Sequence, residues 1–352
     1  MKITYVSCLT QNCGIGRYTH ELASRFYESG NEVELYRKEG GKESFIKSYP
    51  YRSFKSLKYY VAPYYLKRAI SSLRSDIWHA DYVDSATALY LAGKKSQKIV
   101  TTAHDAIPFI YSKPLDRFAY QYELKKAVEV SQAILVVSEK SKEDLIYYAG
   151  INPDMIHVVY NGINHQFFYP DPQKQPNEIF TICYIGGLAK HKNVEAIIHT
   201  AKILEKEGLK FQIQIGGGGA EHTNLPKLVR DLNLKSLTFS GFIPNERLRA
   251  FLSGADVFIY PSLYEGFGFP PLEAMACGTP TVSSNKGSLQ EVLNGGAELT
   301  EPSPENFAVI LSDLIKNPEK LHALREKAIL TASRYTWSKT AQETERIYQK
   351  LR

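Results

Sequence analysis

Apolar positions along this chain follow two rhythms that take turns. Short runs rich in Ile, Val, Leu and Tyr at 3–9, 32–36, 77–79, 99–103 and 133–137 read as strands. Between them, 18–28, 117–130 and 140–149 repeat apolar residues at helical spacing, and Ser138 stands where it would cap the last of these helices. Regular alternation of strand and helix predicts a parallel, doubly wound sheet. A final strand of this half is expected at 158–160, running into Asn161 and Gly162. The segment 169–178, YPDPQKQPNE, has three prolines and little apolar content, and reads as a linker. The alternation then resumes, with strands expected at 179–185, 211–215, 237–239, 257–260 and 281–283. Helices are expected at 194–207, 225–232, 245–253, 271–276 and 306–316, and the tail 338–351 has helical character.

Two such series in 352 residues predict two α/β domains with separate cores, at 1–168 and 169–335, followed by a terminal helix at 336–352. Ligands of open α/β sheets bind outside the carboxyl ends of the strands, so tandem units predict a cleft lined by both. The 43% hydrophobic and 23% charged fractions are those of a globular protein. No apolar run approaches the roughly 18–20 residues that cross a bilayer. A strand starting at residue 3 leaves no place for a signal peptide. Cys8, Cys13, Cys183 and Cys277 are scattered without a C-x-x-C pair, which favours a reduced, cytoplasmic protein over a disulfide framework or zinc site.

The net charge of +6 is uneven. Between Arg37 and Arg74 lie Lys38, Lys42, Lys47, Arg52, Lys55, Lys58, Lys67 and Arg68, opposed only by Glu39 and Glu43. Tyr49, Tyr51, Tyr59, Tyr60, Tyr64 and Tyr65 are interleaved with them. The region 37–74 reads either as a solvated face or as a peripheral contact with the inner face of a membrane that carries a lipid-linked acceptor. Nucleic acid is not expected, because no recognised module accompanies the charge.

The most informative segment is YEGFGFPPLE, which sets Glu265 and Glu273 eight positions apart around Gly266, Gly268, Pro270 and Pro271. A carboxylate in a glycine-rich turn lies beside exposed backbone N–H groups, and the proline pair suits the first turn of a helix. One element thus offers amide donors, a helix end for phosphate and two anionic acceptors for hydroxyls. A nucleotide sugar has that shape; a solvated loop with a capping Glu is the plainer reading. The segment resembles the E-x7-E signature of retaining glycosyltransferase family 4, and EGFGFPPLEAMACGTPTVSS is similar to that family's most characteristic stretch.

Other motifs occur in the order the resemblance requires. Cys13-Gly14-Ile15-Gly16-Arg17 follows the first strand and, with Glu34, partly imitates the dinucleotide fingerprint, but Thr19 stands where the third glycine belongs. A tight turn, a nicotinamide-dinucleotide site and a phosphate- or acceptor-facing loop are the readings; GIGRYTHEL resembles the family's amino-terminal glycine loop. HDAIP, with His104 and Asp105, is similar to the family's H-D-x-x-P segment, whose His reaches the donor sugar and whose Asp either orients that imidazole or caps the next turn. GGLAKHKN places Lys192 at the family lysine, while Gly187 and His191 occupy the two places of the family arginine, with Lys190 a substitute. Gly216–Gly219 permits close backbone approach or forms a plain loop, the segment around Phe242 resembles the one flanking the nucleotide base, and Glu291 matches a recurrent family Glu.

The resemblance implies a GT-B architecture, two Rossmann-like domains facing across a cleft. It implies catalytic roles for His104, Glu265 and Lys192, and donor-binding roles for Gly14, Gly16, Gly187, Lys190, Gly216, Phe242, Gly266, Phe267, Gly268 and Glu273. The implied reaction moves a hexose, with retention, from a nucleoside-diphosphate sugar to a hydroxyl of a glycan or lipid-linked glycan. GDP-mannose is favoured because HDAIP and the KN segment resemble mannosyltransferase branches. There is no D-x-D motif, Asp81 and Asp84 being spaced D-x-x-D, so neither metal nor cofactor is expected. Walker A, G-x-S-x-G and H-E-x-x-H are absent as well. The alternatives are an inactive sugar-nucleotide-binding or scaffold subunit, or an epimerase or phosphorylase on the same fold.

Overall fold

The structure, a computed structural model, describes residues 1–10, 13–51 and 58–352, the side chains of 58–60 excepted. The chain divides into two compact units, Met1–Gly162 with Trp337–Arg352, and Ile163–Thr336.

The first unit is built on β1 (Lys2–Val6), β2 (Glu32–Arg37), β3 (Ile46–Ser48), β4 (Ile77–Ala80), β5 (Ile99–Thr102), β6 (Ala133–Val136) and β7 (Ile156–Val158). These seven strands are parallel, in the order β3-β2-β1-β4-β5-β6-β7. β4, β5 and β6 are buried along their whole length, which is why they read as unbroken apolar runs. The expected strand 3–9 stops at Val6, where Ser7 Oγ accepts from Leu9 N at 3.1 Å and turns the chain. The one expected at 158–160 lies earlier, as β7, and extends its ladder only by Val159 N to Val136 O at 2.8 Å.

The helix Gly14–Glu28 begins four residues before its apolar stripe because Cys13 caps it. The helix Val83–Leu91 shows no stripe in sequence, since every residue from Val83 to Leu89 is buried. Ser138 caps the helix Glu139–Ala149, accepting from Ser141 N at 3.0 Å. The final helix, Trp337–Lys350, packs on this unit. Thr340 Oγ1 donates to Tyr160 O at 2.8 Å, and the fully buried Tyr348 meets Tyr5 and His79.

The second unit has β8 (Phe180–Ile185), β9 (Phe211–Gly216), β10 (Leu237–Gly241), β11 (Val257–Tyr260), β12 (Thr281–Ser284) and β13 (Glu298–Thr300). They are parallel in the order β10-β9-β8-β11-β12-β13, so both sheets reverse direction once, between β1 and β4 and between β8 and β11. The proline-rich segment 169–178 is not a linker. Lys174 Nζ lies 3.7 Å from Asp256 Oδ1, Asn177 Nδ2 donates to Asp256 Oδ2 at 2.9 Å, and Arg249 lies over the Tyr169 ring at 4.4 Å. The units therefore meet in sequence at Gly162 and Ile163.

The basic, tyrosine-rich region is less of a surface than its sequence suggests. Arg37 is 3% exposed and donates to the carbonyls of Glu39 and Gly40, and Tyr49 is 2% exposed with its hydroxyl on Ser7 O. Arg52 and Lys55, and the side chains of Lys58, Tyr59 and Tyr60, lie outside the described residues. No helix of the described residues is long and apolar enough to cross a membrane.

Candidate functional site

In an open α/β sheet the loops leaving the two strands that flank the reversal point splay apart, and ligands bind there. In the second unit those loops follow β8 and β11, and both carry residues singled out by sequence. After β8 the chain passes Gly186 and Gly187, makes one 3-10 turn at Lys190–Lys192, and enters the helix Val194–Lys206 through Asn193 in the left-handed region (φ +53°). Asn193 Nδ2 donates to Pro261 O at 3.3 Å and Pro302 O at 3.2 Å, and Leu263 N donates to His191 O at 2.7 Å. These bonds tie the lysine turn to the chain leaving β11.

The result is a three-group contact. Lys192 Nζ donates to Glu265 Oε1 at 2.6 Å, and the Tyr260 hydroxyl donates to the same oxygen at 2.9 Å. Glu265 is 8% exposed, and burial, followed by the Glu265 charge, pushes the Tyr260 hydroxyl pKa well up, so it stays a donor. Glu265 Oε2 makes no hydrogen bond to the described residues. The backbone beside it is equally constrained: Ser288 N and Oγ both donate to Glu265 O, at 3.2 and 3.0 Å. A Cβ on Gly287 (φ +60°) would come within 2.9 Å of Glu265 N and O.

Gly268 is in the left-handed region (φ +100°), and a Cβ there would meet Leu289 Cδ2 at 2.7 Å, which explains the glycine. The helix then starts at Phe269, two residues before the expected start, with Pro270 and Pro271 in its first turn, and carries Glu273 at 4% exposure. Gly266 is buried in the same turn. Phe267 is core: it is 4% exposed, with edge contacts to Phe269 and Tyr335. Phe242, by contrast, is 77% exposed. Gly187 and Lys190 are exposed, and Lys190 makes no ion pair among the described residues. Gly216 serves strand packing, since a Cβ would lie 2.7 Å from Ile185 Cδ1 and its carbonyl accepts from Gly186 N at 3.2 Å. Glu291 is half-buried in the short helix Leu289–Val292.

In the first unit the chain leaving β5 carries His104, 6% exposed, edge-on to Tyr18 at 4.9 Å. Its Nε2 donates to Asp81 O at 3.0 Å, and its own carbonyl accepts from Ser141 Oγ at 3.0 Å. Burial pushes the imidazole down to about 4, so it is neutral near pH 7. Asp105 does not orient that ring; its Oδ1 accepts from Ile107 N at 2.9 Å and closes the following turn.

The dinucleotide reading fails on two residues. Thr19, in the place of the third glycine, is 1% exposed and donates to Asp81 Oδ2 at 2.8 Å. Glu34 lies 3.6 Å from Lys2 Nζ rather than open to a ribose. Gly16 N is already taken by Cys13 Sγ at 3.3 Å, and Gly14 is half-buried beside it. No motif marks Tyr260 and Asp81 as site residues: Tyr260 ends β11 and Asp81 follows β4, and Lys192 and Thr19 reach them from 68 and 62 positions away.

A family model described as Glycosyl transferases group 1 matches residues 166–331, and one described as Glycosyltransferase Family 4 matches 13–167. Serotype-specific mannosyltransferase WbdA of Escherichia coli is 26% identical over 300 residues, which cover 78% of this chain and 36% of that protein. The chain thus spans about a third of the length of that relative. O-antigen chain mannosyltransferase B of Escherichia coli is 26% identical over 373 residues, covering 96% of each chain. Among solved structures, sucrose-phosphate synthase from Thermosynechococcus elongatus superposes with a TM-score of 0.85 at 19% identity, over 99% of this chain and 98% of that one, and shares its fold.

Proposed function

The chain belongs to the group 1 glycosyl transferases of glycosyltransferase family 4 and has their GT-B fold, and we propose that it moves a hexose from a nucleoside-diphosphate sugar to an acceptor hydroxyl. One observation carries this reading: Lys192 and Tyr260 hold one oxygen of Glu265 and leave the other open, at the reversal point of the second sheet. A carboxylate fixed in this way accepts a sugar hydroxyl in a defined direction. The ammonium beside it faces the negative charge that builds on the departing diphosphate, where a preorganised cation lowers the barrier most. Glu273, one helical element further on, is assigned to the ribose hydroxyls, and the exposed Phe242 ring to the base.

His104 acts as a neutral group. With Nε2–H committed to Asp81 O, its Nδ1 is an acceptor for a sugar hydroxyl, and the ring does not supply a positive charge near pH 7. Retention of anomeric configuration, with the leaving phosphate as base on the same face, and independence from a divalent metal are parts of the proposal. Both rest on the family resemblance and the missing D-x-D motif. Mannose from GDP-mannose is the proposed donor, supported by the names of the curated relatives. The acceptor is a glycan or a lipid-linked glycan.

The test incubates the full chain with GDP-, UDP- and dTDP-sugars and measures released nucleoside diphosphate, with and without EDTA. Turnover of one donor class that survives the chelator, and that is lost in a folded Glu265→Ala protein, is the expected result. Binding without turnover across all donors would leave a sugar-nucleotide-binding subunit as the better reading.

A further inference from the structure

His104 stands at one end of a line of polar groups that runs through the core of the first unit to the terminal helix, Trp337–Lys350. Tyr5, Tyr18, His79, Thr102 and Tyr348 come from β1, the helix Gly14–Glu28, β4, β5 and the terminal helix, and each is at most 1% exposed. Polar groups buried this deeply cost stability unless each is hydrogen-bonded.

The Tyr348 hydroxyl donates to the Tyr5 hydroxyl at 3.3 Å and also meets His79 Nδ1. His79 Nε2 and the Tyr18 hydroxyl each meet Thr102 Oγ1, at 2.7 and 2.9 Å. Burial, followed by the nearby His104, pushes the His79 imidazole down to about 3, so near pH 7 it is neutral, with one donor and one acceptor. With the Tyr348 proton on Tyr5, only one proton order remains. His79 Nδ1–H donates to Tyr348, His79 Nε2 accepts from Thr102, and Thr102 accepts from Tyr18.

At the near end the Tyr18 and His104 rings meet edge to face, with centroids 4.9 Å apart and planes at 87°. Tyr18 cannot turn away without breaking its bond to Thr102. The imidazole is therefore held twice, by Asp81 O at Nε2–H and by the Tyr18 ring. Both ends of the terminal helix bear on this line: Trp337 packs 6.1 Å from the Tyr18 ring, and Tyr348 accepts from His79.

We propose that Tyr18 is a positioning residue for His104, and that the bonds from Tyr18 through Thr102 and His79 to the terminal helix keep it in place. The assignment rests on the glycosyl-transfer reading above, in which His104 Nδ1 accepts a sugar hydroxyl. That lone pair lies in the ring plane, so a tilt of the imidazole misdirects it, and a misplacement of about 1 Å in such a group costs as much as about 10² in rate. Apolar side chains would fill the same core; the directed hydroxyls add a single orientation.

Thr102→Val deletes the shared hydroxyl and keeps the branched shape. With the donor that the full chain turns over fastest, Thr102→Val and Tyr18→Phe are each expected to lower kcat by about three- to tenfold, with the donor KM within about twofold of wild type. Thr102→Ser, which restores the hydroxyl, is expected to recover at least about half of the wild-type kcat. In a His104→Ala background Thr102→Val is expected to change kcat by less than about twofold, because the group it helps to position is gone. Nitrogen-15 spectra of the imidazoles read the proton order directly, with His79 expected as the Nδ1–H tautomer and His104 as Nε2–H. Circular dichroism verifies folding, and Tyr18→Phe carries the test should Thr102→Val not fold. A kcat near wild type in the folded variants, an equal loss with and without His104, or the opposite tautomer at either histidine overturns the proposal and leaves the transfer reading standing. Failure of the wild type to release nucleoside diphosphate from any donor overturns the transfer reading, and this role with it.

Discussion

At the reversal point of the second sheet an ammonium group, Lys192, stands against Glu265. At that of the first sheet, Asp81 and Asp84 are held by the hydroxyls of Thr19 and Ser85 instead. The strand orders correspond, and in both units the site residues follow the ends of central strands. Topology therefore settles where a ligand can approach, because only there do adjacent loops part. The sign of the charge is written by the residues that follow each strand. A lysine after β8 and a glutamate after β11 set a cation against a carboxylate. Asp84, after β4, shares a recess with Glu123 instead.

Removing the cation is the hardest test of that contrast. Lys192→Met keeps the stem and deletes the charge, and donor turnover is expected to fall by about 10²–10³ in kcat, the usual loss of a preorganised electrostatic group. Stopped assays of nucleoside diphosphate release measure it. A fall below threefold in a folded variant would break the assignment of the diphosphate to this loop.

Changing pH separates the units next. Asp81, Asp84 and Glu123, raised to about 7, about 6 and about 8, keep protons in the folded chain that the unfolded chain releases above about 4. Each therefore costs stability progressively as pH rises from about 4 through its folded value. His79 and His104, lowered to about 3 and about 4, act in the opposite sense: the unfolded chain takes up protons below about 6.5, so their cost grows as pH falls. Between about pH 6.5 and 8 the carboxyl effect outweighs the histidine effect. Amide-exchange protection of β4 and β5, corrected for the intrinsic rate, is expected to drop there by on the order of 2 kcal/mol. The shifted carboxyls of the second unit, Glu205, Glu301 and Asp313, are all lowered, so β8 and β11 should stay level over that window. Parallel loss in both units would remove the electrostatic distinction.

The smallest effect sharpens the picture within the second site. Lys190 is exposed and makes no ion pair among the described residues, so Lys190→Ala should raise the donor KM by only about two- to threefold. A loss as large as that of Lys192→Met would mean that Lys190 has taken over the role of the family arginine, whose two places hold Gly187 and His191.

Much of this was legible beforehand, for identifiable reasons. The strand 257–260 was read to the residue, and the other buried strands to within one or two residues at most ends, because parallel strands covered on both faces are short apolar runs between turn residues. The helix Val83–Leu91 escaped notice because a helix buried all round has no stripe. The resemblance assigns Phe267 to the donor, and only the fold reveals that its ring packs on Tyr335, which lies far along the chain. Arg37 and Tyr49 read as surface because burial of a polar group depends on distant carbonyls that a local pattern does not reveal.

The amino-acid sequence alone determined the kinds of group available: two glutamates eight apart, a lysine after a strand, glycines where φ must be positive, and no D-x-D motif. These are local properties, set by backbone sterics and short-range periodicity. Tertiary structure alone decided the partnerships. Lys192 meets Glu265 across 73 positions, and Thr19 meets Asp81 across 62. Asp84 and Glu123 face one recess from different elements. Such pairs form because parallel crossovers bring the ends of non-consecutive strands side by side, a closeness that one-dimensional spacing does not encode.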